Sequence, residues 1–525
     1  MDGVRVDIPF QGSTYAWEAL ERMTAWADDE ALVTDTRRYT YGEFRQGVLD
    51  MAAALWHHGI RPTQTIGAFA HNPAESLFMQ MGAHLFGART AWAATTEPMA
   101  FRNDFLRLAG INAFVYDARS AAAEPGSELA RLAAPLPIFC FGRGSGADLT
   151  LVPHATSLPF DPTDVRDEPW TLVQTGGTTG HAKLVRHRHR FFATLLAFAG
   201  HYRTSDAPKL RHLLQSGTWH ISSQTAAFMT LFSGGTLFLK EGLDNKPFLQ
   251  LIERERINSA FVAPPGLYQL IQDDLIDEVD LGSLLTLTVS GSAAAPARLA
   301  AAAEKLGPVV RIVYGMSECP MIAAMPNVAP DAEHPERLAS CGLPFGDARI
   351  EIRDDNGDPV PTGEPGAIWV SSSMNMDGYF GAPEATAEAI VDGWLRTGDV
   401  GRLDSDGYLY VVDRDKDMII TGIGSSNVFC RPVEDLLLAH PSIAAAALIG
   451  VPDSDFGERV HAYVVAADGR PPTVEEIRGF VRERLNERWT PTSVEFIASM
   501  PYTAAAKVDK KALRALWAAT HTPTV

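Results

Sequence analysis

The sequence predicts an α/β fold with two parts, a large N-terminal domain of parallel or mixed sheets covered by helices and a small, mobile α+β domain at the C-terminus. Short apolar runs rich in β-forming residues alternate with amphipathic stretches, as in TIGAFA before PAESLFMQMGAHLFG and LLTLTVS before PARLAAAAEKLG. After Trp394 the pattern changes to turns and short strands, with a hairpin signal at Asp-Ser-Asp-Gly. A smaller set of strands and helices then runs to the end of the chain.

The change of pattern predicts a domain boundary near residues 413–417. We therefore expect an N-terminal domain of residues 1–413 and a C-terminal lid domain of residues 414–525. The second part has its own predicted strands (AAAALIGVP, VHAYVVAA, SVEFIA) and helices (VEEIRGFVRERLN, DKKALRALWAA). A unit of about a hundred residues can fold by itself and act as a lid.

Composition excludes several classes of protein. The chain has 525 residues, of which 46% are apolar and 21% are charged, and these values are typical of a globular protein with more than one domain. Its formal net charge of −19 repels nucleic-acid phosphates and anionic lipids. The basic segment RHRHR at residues 186–190 is too short to offset that charge. We therefore predict neither nucleic acid nor a membrane as a partner.

Cysteine usage and the N-terminus predict a cytoplasmic location. The four cysteines form neither a CxxC pair nor a dense framework, so neither a zinc site nor a disulfide scaffold is indicated; they are Cys140, Cys319, Cys341 and Cys430. The first residues, MDGVRVDIPF, lack a basic region followed by an apolar run, and no apolar stretch is long enough for a membrane span.

A segment rich in glycine and threonine, QTGGTTGHAK, follows the apolar run TLV at residues 174–183. Glycines let backbone N–H groups approach an anion, while threonine hydroxyls and a lysine ammonium add further donors for phosphate. The segment lacks the Gly-x-x-x-x-Gly-Lys-Ser/Thr pattern of a P-loop, and an isolated loop of this composition is often a flexible turn. The candidate phosphate-binding residues are Thr175, Gly176, Gly177, Thr178, Thr179, Gly180 and Lys183.

This loop resembles the YTSGTTGxPKG loop of the adenylate-forming superfamily, which includes acyl-CoA synthetases, nonribosomal adenylation domains and luciferases. The resemblance covers nearly the whole chain. The other matching pieces, in order, are TYGEF near Tyr41, SGSAAAP at 290–296, YGMSE at 314–318, GY at 378–379 with PEAT at 383–386, GWLRTGD at 393–399, DRDKD at 413–417, GER at 457–459 and KVDKKAL at 507–513. It implies that the protein uses ATP and Mg²⁺ to convert a carboxylic acid into an acyl adenylate, releases pyrophosphate, and passes the acyl group to a second nucleophile.

The resemblance also implies a nucleotide site. Glu318 matches the family's metal-binding glutamate, and a carboxylate suits Mg²⁺ held against ATP phosphates. Asp399 matches the residue that accepts hydrogen bonds from both ribose hydroxyls. The remaining ATP- or AMP-binding residues implied are Ser290, Gly291, Ser292, Tyr314, Gly315, Met316, Ser317 and Arg414.

Two lysines are implied to act at different stages. Lys507 follows the PYT segment at the family's spacing, and a fixed ammonium near the attacking carboxylate and the α-phosphate stabilises the adenylation transition state. Its neighbours Lys510 and Lys511 make an ordinary solvated lysine the alternative. Lys416, with Arg414, matches the hinge about which the small domain turns for the second half-reaction.

The segment GTWHIS, residues 217–222, occupies the place of the acid pocket. Amino-acid-activating members carry an Asp there for the substrate amine, whereas Trp219 and His220 offer an apolar wall and one polar group. His220 is a candidate catalytic group or else a structural histidine. Gly177 and Leu184 resemble the aryl-acid-activating branch, so an aromatic acid is favoured. The pocket residues expected are Trp219, His220, Gly291 and Gly315.

The acyl acceptor remains open between several classes. The stretch MIITGIGSSNVFCRPVE, residues 418–434, departs from the IIxxGxxVxPxE pattern of CoA ligases, and Ala182 and Ala506 replace the usual loop proline and glycine. We favour CoA as co-substrate, with an amine in an amide synthetase as the close alternative and the thiol of a free carrier protein as a third. A non-catalytic nucleotide-binding regulator is disfavoured, and the protein is expected to be a monomer or homodimer.

Overall fold

The fold was obtained as a computed structural model, which describes residues 8–70, 72–94, 105–119, 136–151, 153–174, 183–203, 206–325, 328–329, 331, 333–414, 419–421, 426–453, 457–467, 471–485, 487–503 and 507–521. The described strands, in chain order, are β1 Glu30–Val33, β2 Arg38–Thr40, β3 Thr65–Phe69, β4 Arg89–Trp92, β5 Ala113–Asp117, β6 Ile138–Phe141, β7 Ala147–Asp148, β8 Trp170–Gln174, β9 Leu184–Arg188, β10 Arg211–Leu214, β11 Thr236–Leu239, β12 Ser259–Val262, β13 Thr286–Val289, β14 Val310–Met316, β15 Cys319–Met325, β16 Leu343–Pro344, β17 Arg349–Arg353, β18 Gly366–Ser371, β19 Gly378–Tyr379, β20 Ile390–Val391, β21 Trp394–Leu403, β22 Leu409–Arg414, β23 Ile419–Thr421, β24 Ser426–Val428, β25 Ile443–Asp453, β26 Gly457–Ala466 and β27 Ser493–Phe496.

Helices lie between and around these strands. The α-helices are α1 Tyr15–Met23, α2 Tyr41–His57, α3 Ala74–His84, α4 His189–Arg203, α5 Ile221–Phe232, α6 Asn245–Glu255, α7 Pro264–Gln272, α8 Pro296–Leu306, α9 Pro383–Ala389, α10 Cys430–Leu438, α11 Val474–Arg484 and α12 Lys510–His521. Shorter 3₁₀ helices are Thr24–Trp26, Asp274–Asp277, Pro335–Ala339 and Glu487–Trp489. Local sequence explains several helix starts: Thr40 with Glu43 and Thr473 with Glu476 form capping boxes at α2 and α11.

Two large mixed sheets are built mainly from residues before position 345, with β19 added from residues 378–379. The first has the order β16-β15-β14-β13-β12-β10-β11-β1-β2 and the second β19-β9-β8-β4-β3-β5-β6-β7. Their central strands pair in parallel, whereas β15, β16 and β2 in the first and β9 and β19 in the second run antiparallel to their neighbours. The alternation of apolar runs and amphipathic helices therefore predicted the architecture correctly.

The main hydrophobic core lies between these two sheets. It contains residues of β1, β11 and β15 from one sheet, residues of β3, β4 and β8 from the other, and the helices α1 to α5. Helix α3 is buried along its length, because it is enclosed on several sides. A second core fills the opposite face of the first sheet under α6, α7 and α8.

Two five-stranded sheets follow. One is antiparallel, with the order β17-β18-β21-β20 and β22 paired to β21; the other has the order β24-β23-β26-β25, with β27 parallel to β26. Helices α10, α11 and α12 accompany the last sheet, whose two faces carry separate cores. This arrangement agrees with the predicted small α+β unit. The exact boundary near 413–417 stays a prediction, since residues 415–418 lie outside the described ranges.

Candidate active site

The hairpin of β14 and β15 is the centre of the candidate site. Its turn is formed by Ser317 and Glu318. A Cβ atom at Gly315 would lie 2.0 Å from the backbone oxygen of Pro320 on the returning strand, so the strands can approach here only with glycine at position 315. The sequence YGMSE thus folds into a close-packed hairpin with Tyr314 on one side of the glycine and Glu318 at the turn.

Tyr314 connects this hairpin to Asp399 on β21. The buried tyrosine hydroxyl donates a hydrogen bond of 2.5 Å to Oδ2 of Asp399. The backbone N–H of Asp399 in turn donates to Oγ1 of Thr397 at 3.1 Å. Burial, reinforced by the negative charge of Asp399, holds the pKa of Tyr314 well above its usual value, so its proton stays on the tyrosine oxygen. These contacts fix the carboxylate predicted to bind ribose beside the hairpin predicted to bind AMP.

Glu318 is held by a residue absent from the predicted site, Tyr379 on β19. The hydroxyl of Tyr379 donates to Oε1 of Glu318 at 2.7 Å, and the Glu318 side chain is 6% exposed. Lys183 lies over the same tyrosine ring, with its Nζ 4.4 Å from the ring centroid. One tyrosine therefore contacts both the predicted metal ligand, Glu318, through its hydroxyl and the predicted phosphate-binding Lys183 through the face of its ring. Tyr379 belongs to the GY piece at residues 378–379, and that match was the signal in the sequence that could have identified it as a site residue.

The donor chemistry of Glu318 fits Mg²⁺. Magnesium in nucleotide enzymes is usually bound by one or two carboxylates together with substrate phosphates. A buried, oriented glutamate beside Lys183 matches that requirement. Within the described ranges no group of three or more His, Cys, Asp or Glu side chains could hold a metal without help from a substrate.

The turn of the hairpin is also fixed from behind by His187 on β9. Its Nε2 lies 2.7 Å from the carbonyl oxygen of Ser317, so Nε2 carries the proton that is donated to that oxygen. Burial lowers the pKa of His187 to about 4, and the ring is therefore neutral at pH 7. The basic segment 186–190 thus places a buried neutral histidine at the site. Arg188, the residue before α4, forms ion pairs instead: its Nη1 lies 3.4 Å from Oε2 of Glu168 and its Nε lies 3.7 Å from Oδ2 of Asp377.

His220 and Trp219 lie together at the start of α5. Their ring centroids are 3.7 Å apart, and Trp219 is 6% exposed within the main core. A Cβ at Gly217 would lie 2.0 Å from the indole nitrogen, so this glycine allows the indole to fold back over its own turn. The structure therefore packs Trp219 into the main core against the ring of His220, and the role of the two residues as the apolar wall and the polar group of an acid pocket stays a prediction.

Lys507 approaches His220 from the last domain. Burial, together with the nearby positive charge of Lys507, lowers the pKa of His220 to about 4. Lys507 is presented by a short loop in which the N–H of Thr503 donates to the Lys507 carbonyl at 2.7 Å. By contrast, Nζ of Lys510 is 3.0 Å from Oε1 of Glu434 within the same domain. The geometry thus distinguishes Lys507 from its neighbouring lysines.

The other predicted residues are placed as follows. Residues 290–292 follow β13. Gly291 has a φ of +96°, and this positive φ favours glycine although there is open space around the position of a Cβ. Met316 and Ser317 belong to the hairpin. Arg414 ends β22 opposite Asp399 in the strand register. Thr175, Gly176, Gly177, Thr178, Thr179, Gly180 and Lys416 lie outside the described residues, so their roles stay predictions.

Comparison with known proteins places this arrangement in a family. Residues 20–380 match the family model of the AMP-binding enzymes, and residues 432–507 match the model of the AMP-binding enzyme C-terminal domain. The chain belongs to the AMP-binding enzyme family. The resemblance inferred from the motifs is therefore confirmed.

Individual relatives carry names of more than one activity. A medium/long-chain-fatty-acid–CoA ligase of Mycobacterium tuberculosis is 37% identical over 359 residues, which cover 66% of this chain and 61% of that protein. A methyl-dioxo-octahydroindenyl-propanoyl:CoA ligase of the same organism is 32% identical over 95% of this chain and 98% of that protein. The solved structure of an amide bond synthetase from Marinactinospora thermotolerans is 32% identical, covers 96% of this chain and all of that chain, and superimposes with a TM-score of 0.84. This last match confirms the predicted fold.

No helix in the described ranges has both the length and the apolar character needed to cross a bilayer.

Proposed function

We propose that this protein is an ATP-dependent carboxylic acid ligase that forms an acyl adenylate and pyrophosphate and then transfers the acyl group to CoA. The observation that carries the proposal is the hairpin that joins Tyr314 to Asp399 and Glu318 to Tyr379, whose ring lies beneath Lys183; the charge of Lys507 acting on His220 supports it. A cation, a metal-binding carboxylate and a ribose-binding carboxylate are the groups that adenylation requires.

In the first half-reaction the substrate carboxylate attacks the α-phosphorus of ATP, and the bond from that phosphorus to pyrophosphate breaks. Lys507 stabilises the negative charge that grows on the α-phosphate oxygens, and Asp399 positions the ribose. Glu318 would hold Mg²⁺, which neutralises phosphate charge when bound. Lys183 and the loop 175–180 bind the phosphates.

In the second half-reaction the acceptor sulfur attacks the acyl carbonyl and the bond to AMP breaks, while the thiol proton is lost to the medium. We propose that the small domain turns about Lys416 between the two steps. Trp219 and His220, with Gly291 and Gly315, form the acid pocket. The absence of a carboxylate on the 217–222 segment supports an aryl or alkyl acid without an amine.

An amide synthetase is the second candidate, and contacts across the predicted hinge favour it. The length of the match does not separate the two candidates, because the amide bond synthetase and the propanoyl:CoA ligase are both 32% identical to this chain over nearly their whole length. Two hydrogen bonds cross the predicted hinge: Nη1 of Arg431 donates to the Val411 carbonyl at 2.7 Å, and the Cys430 N–H donates to Oδ2 of Asp413 at 2.5 Å. Hydrogen bonds with charged partners are each worth about 1.5–3 kcal/mol, so they oppose a turn of the small domain.

One assay separates these activities. The protein is incubated with ATP, Mg²⁺ and a panel of aryl and alkyl acids, with CoA, a small amine or a carrier-protein thiol added in parallel. We expect acid-dependent pyrophosphate release and a thioester when CoA is present. An amide product that forms regardless of CoA would establish the second candidate, and no pyrophosphate release with any acid would reject the proposal.

We also propose a cytoplasmic location. The four cysteines lie in the described residues as buried thiols outside any disulfide, which suits a reducing compartment.

His187 provides a prediction that follows from the proposed metal site. His187→Leu should lower pyrophosphate release about 10-fold and raise the Mg²⁺ concentration needed for half-maximal rate, because the Ser317–Glu318 turn loses its fixed donor. His187→Gln, whose amide can donate from a similar position, should recover most of the loss. Both are checked by Mg²⁺ titration of pyrophosphate release and by calorimetry of ATP binding with and without Mg²⁺. Equal defects in the two variants would contradict the positioning role.

A further inference from the structure

Side chains hydrogen-bond to both backbone groups of Thr218, the residue before Trp219. The N–H of Thr218 donates to Oδ1 of Asn72 at 2.9 Å, and the Thr218 carbonyl accepts from Nε2 of Gln224 at 2.8 Å. Thr218 itself is 1% exposed. Two side-chain amides therefore fix the peptide groups that lead into the predicted acid pocket.

Asn72 joins segments that come from both large sheets. It lies between β3 and α3 of the second sheet, and its Nδ2 donates to the Ser216 carbonyl at 3.1 Å and to the Lys240 carbonyl at 2.8 Å. Ser216 follows β10 and Lys240 follows β11, which are neighbours in the first sheet. One buried amide thus makes three hydrogen bonds, two to the pocket segment at Ser216 and Thr218 and one to the end of β11 at Lys240.

The second amide, that of Gln224, is itself held by a hydrogen bond from Gln80. It lies in the first turn of α5, is fully buried, and its Oε1 accepts from Nε2 of Gln80 on α3 at 3.0 Å. This contact aims the Gln224 nitrogen at Thr218, because the amide oxygen is already engaged. The four residues Asn72, Thr218, Gln224 and Gln80 are called the amide clamp below.

The amide clamp acts on the wall of the pocket rather than on the core in general. Trp219 follows Thr218 directly, its ring supports His220, and the N–H of His220 donates to the Gly217 carbonyl at 3.0 Å. A buried polar network that is fully satisfied specifies one arrangement of its neighbours, whereas apolar packing tolerates several. The Trp219–His220 pair, whose rings are in contact at an angle of 40°, therefore has one position as long as the Thr218 peptides are fixed.

We propose that Asn72 and Gln224 are positioning residues that set the acid specificity of this enzyme by fixing the Trp219–His220 wall. The inference rests on the proposed function, because it takes that wall as part of the acid pocket. Neither residue touches the predicted nucleotide residues in the described part of the chain. Changes in the clamp should accordingly alter the KM for the acid and leave the KM for ATP unchanged.

The test compares the clamp variants Gln224→Met and Asn72→Leu with wild type in acid-dependent pyrophosphate release. Each variant is expected to raise the KM for the preferred acid about 10-fold or more, to leave the KM for ATP within about 2-fold, and to narrow the preference between a flat aryl acid and a bulky alkyl acid. Asn72→Ser is a milder variant whose shorter side chain leaves room for water, and it should show the same split if Asn72→Leu does not fold.

Thr230→Val is the matched control. It removes an equally buried polar group further along α5, whose hydroxyl donates to the Ala226 carbonyl and not to Thr218, so it should lower the unfolding midpoint while keeping the acid preference. Gln80→Met removes the group that orients Gln224 and should shift the acid KM in the same direction as Gln224→Met. An unchanged acid KM in the Asn72 and Gln224 variants, or the same shift in Thr230→Val, would overturn the clamp. No pyrophosphate release by the wild type would instead overturn the proposed function on which the clamp depends.

Discussion

Replacing Lys507 with alanine is expected to reduce acid-dependent pyrophosphate release by about 10²- to 10³-fold while ATP still binds. The reason is that the ammonium stabilises charge which develops on the α-phosphate in the transition state, and such an interaction contributes little to the ground state. The positive charge of Lys507 contributes to the lowered pKa of His220, so this side chain acts on the predicted pocket segment. The measurement is the single-turnover rate of pyrophosphate release, with ATP affinity from calorimetry.

The control for this prediction is Lys511→Ala. Lys511 lies at the head of α12, four residues further along, and its side chain is exposed. It should retain wild-type rates. The Lys507 variant should also still consume a chemically prepared acyl adenylate when the acceptor is supplied, because the second half-reaction does not need this lysine. Near-normal adenylation by Lys507→Ala, or an equal loss in Lys511→Ala, would remove Lys507 from the mechanism.

Local patterns were sufficient to predict the fold and the family to which the chain belongs. The alternation of apolar and amphipathic stretches predicted β13 followed by α8, because strand and helix differ in the period of their buried positions. The YGMSE piece was predicted to carry the metal-binding Glu318, and the structure places this residue at the turn of a hairpin. Such features depend on residues close together in the chain.

Contacts between distant residues could not be predicted in this way. Tyr379 meets Glu318 across 61 positions and His187 meets Ser317 across 130, and neither spacing leaves a periodic trace in one sequence. His187 was hidden further by its arginine neighbours, which made the segment look like a charged surface. Only the pairing of β9 with β8 and β19 shows that its ring points inward.

The pocket shows a second limit of local reasoning. The sequence predicted Trp219 as a residue of the acid pocket, because aromatic side chains often line ligand sites, but it did not predict how the ring packs. Its burial depends on the space above Gly217 and on the clamp at Thr218, which involves Asn72 from a segment 146 residues away. Packing of that kind is decided by the tertiary structure.

Replacing Glu318 with glutamine is the second change expected to have a large effect. The amide keeps an oxygen that can accept the Tyr379 hydroxyl, so the hairpin should retain its shape, but the negative charge is lost. Because Mg²⁺ binds hard anionic oxygens, we expect pyrophosphate release to fall about 10²-fold at a fixed Mg²⁺ concentration. The gain in ATP affinity that Mg²⁺ gives the wild type should largely disappear, which calorimetry with and without the metal would show.

The matched control is Glu388→Gln, which removes the same charge from an exposed position on α9. It should leave both the rate and the Mg²⁺ dependence unchanged, since exposed charges at a distance are screened by solvent and salt. Tyr379→Phe separates metal binding from orientation. It leaves the carboxylate in place without the 2.7 Å hydrogen bond, so its loss of activity should be smaller than that of Glu318→Gln and recoverable with excess Mg²⁺. If Glu318→Gln kept the wild-type Mg²⁺ dependence, the metal would have to be bound elsewhere, and Glu318 would serve only to hold Tyr379 beneath Lys183.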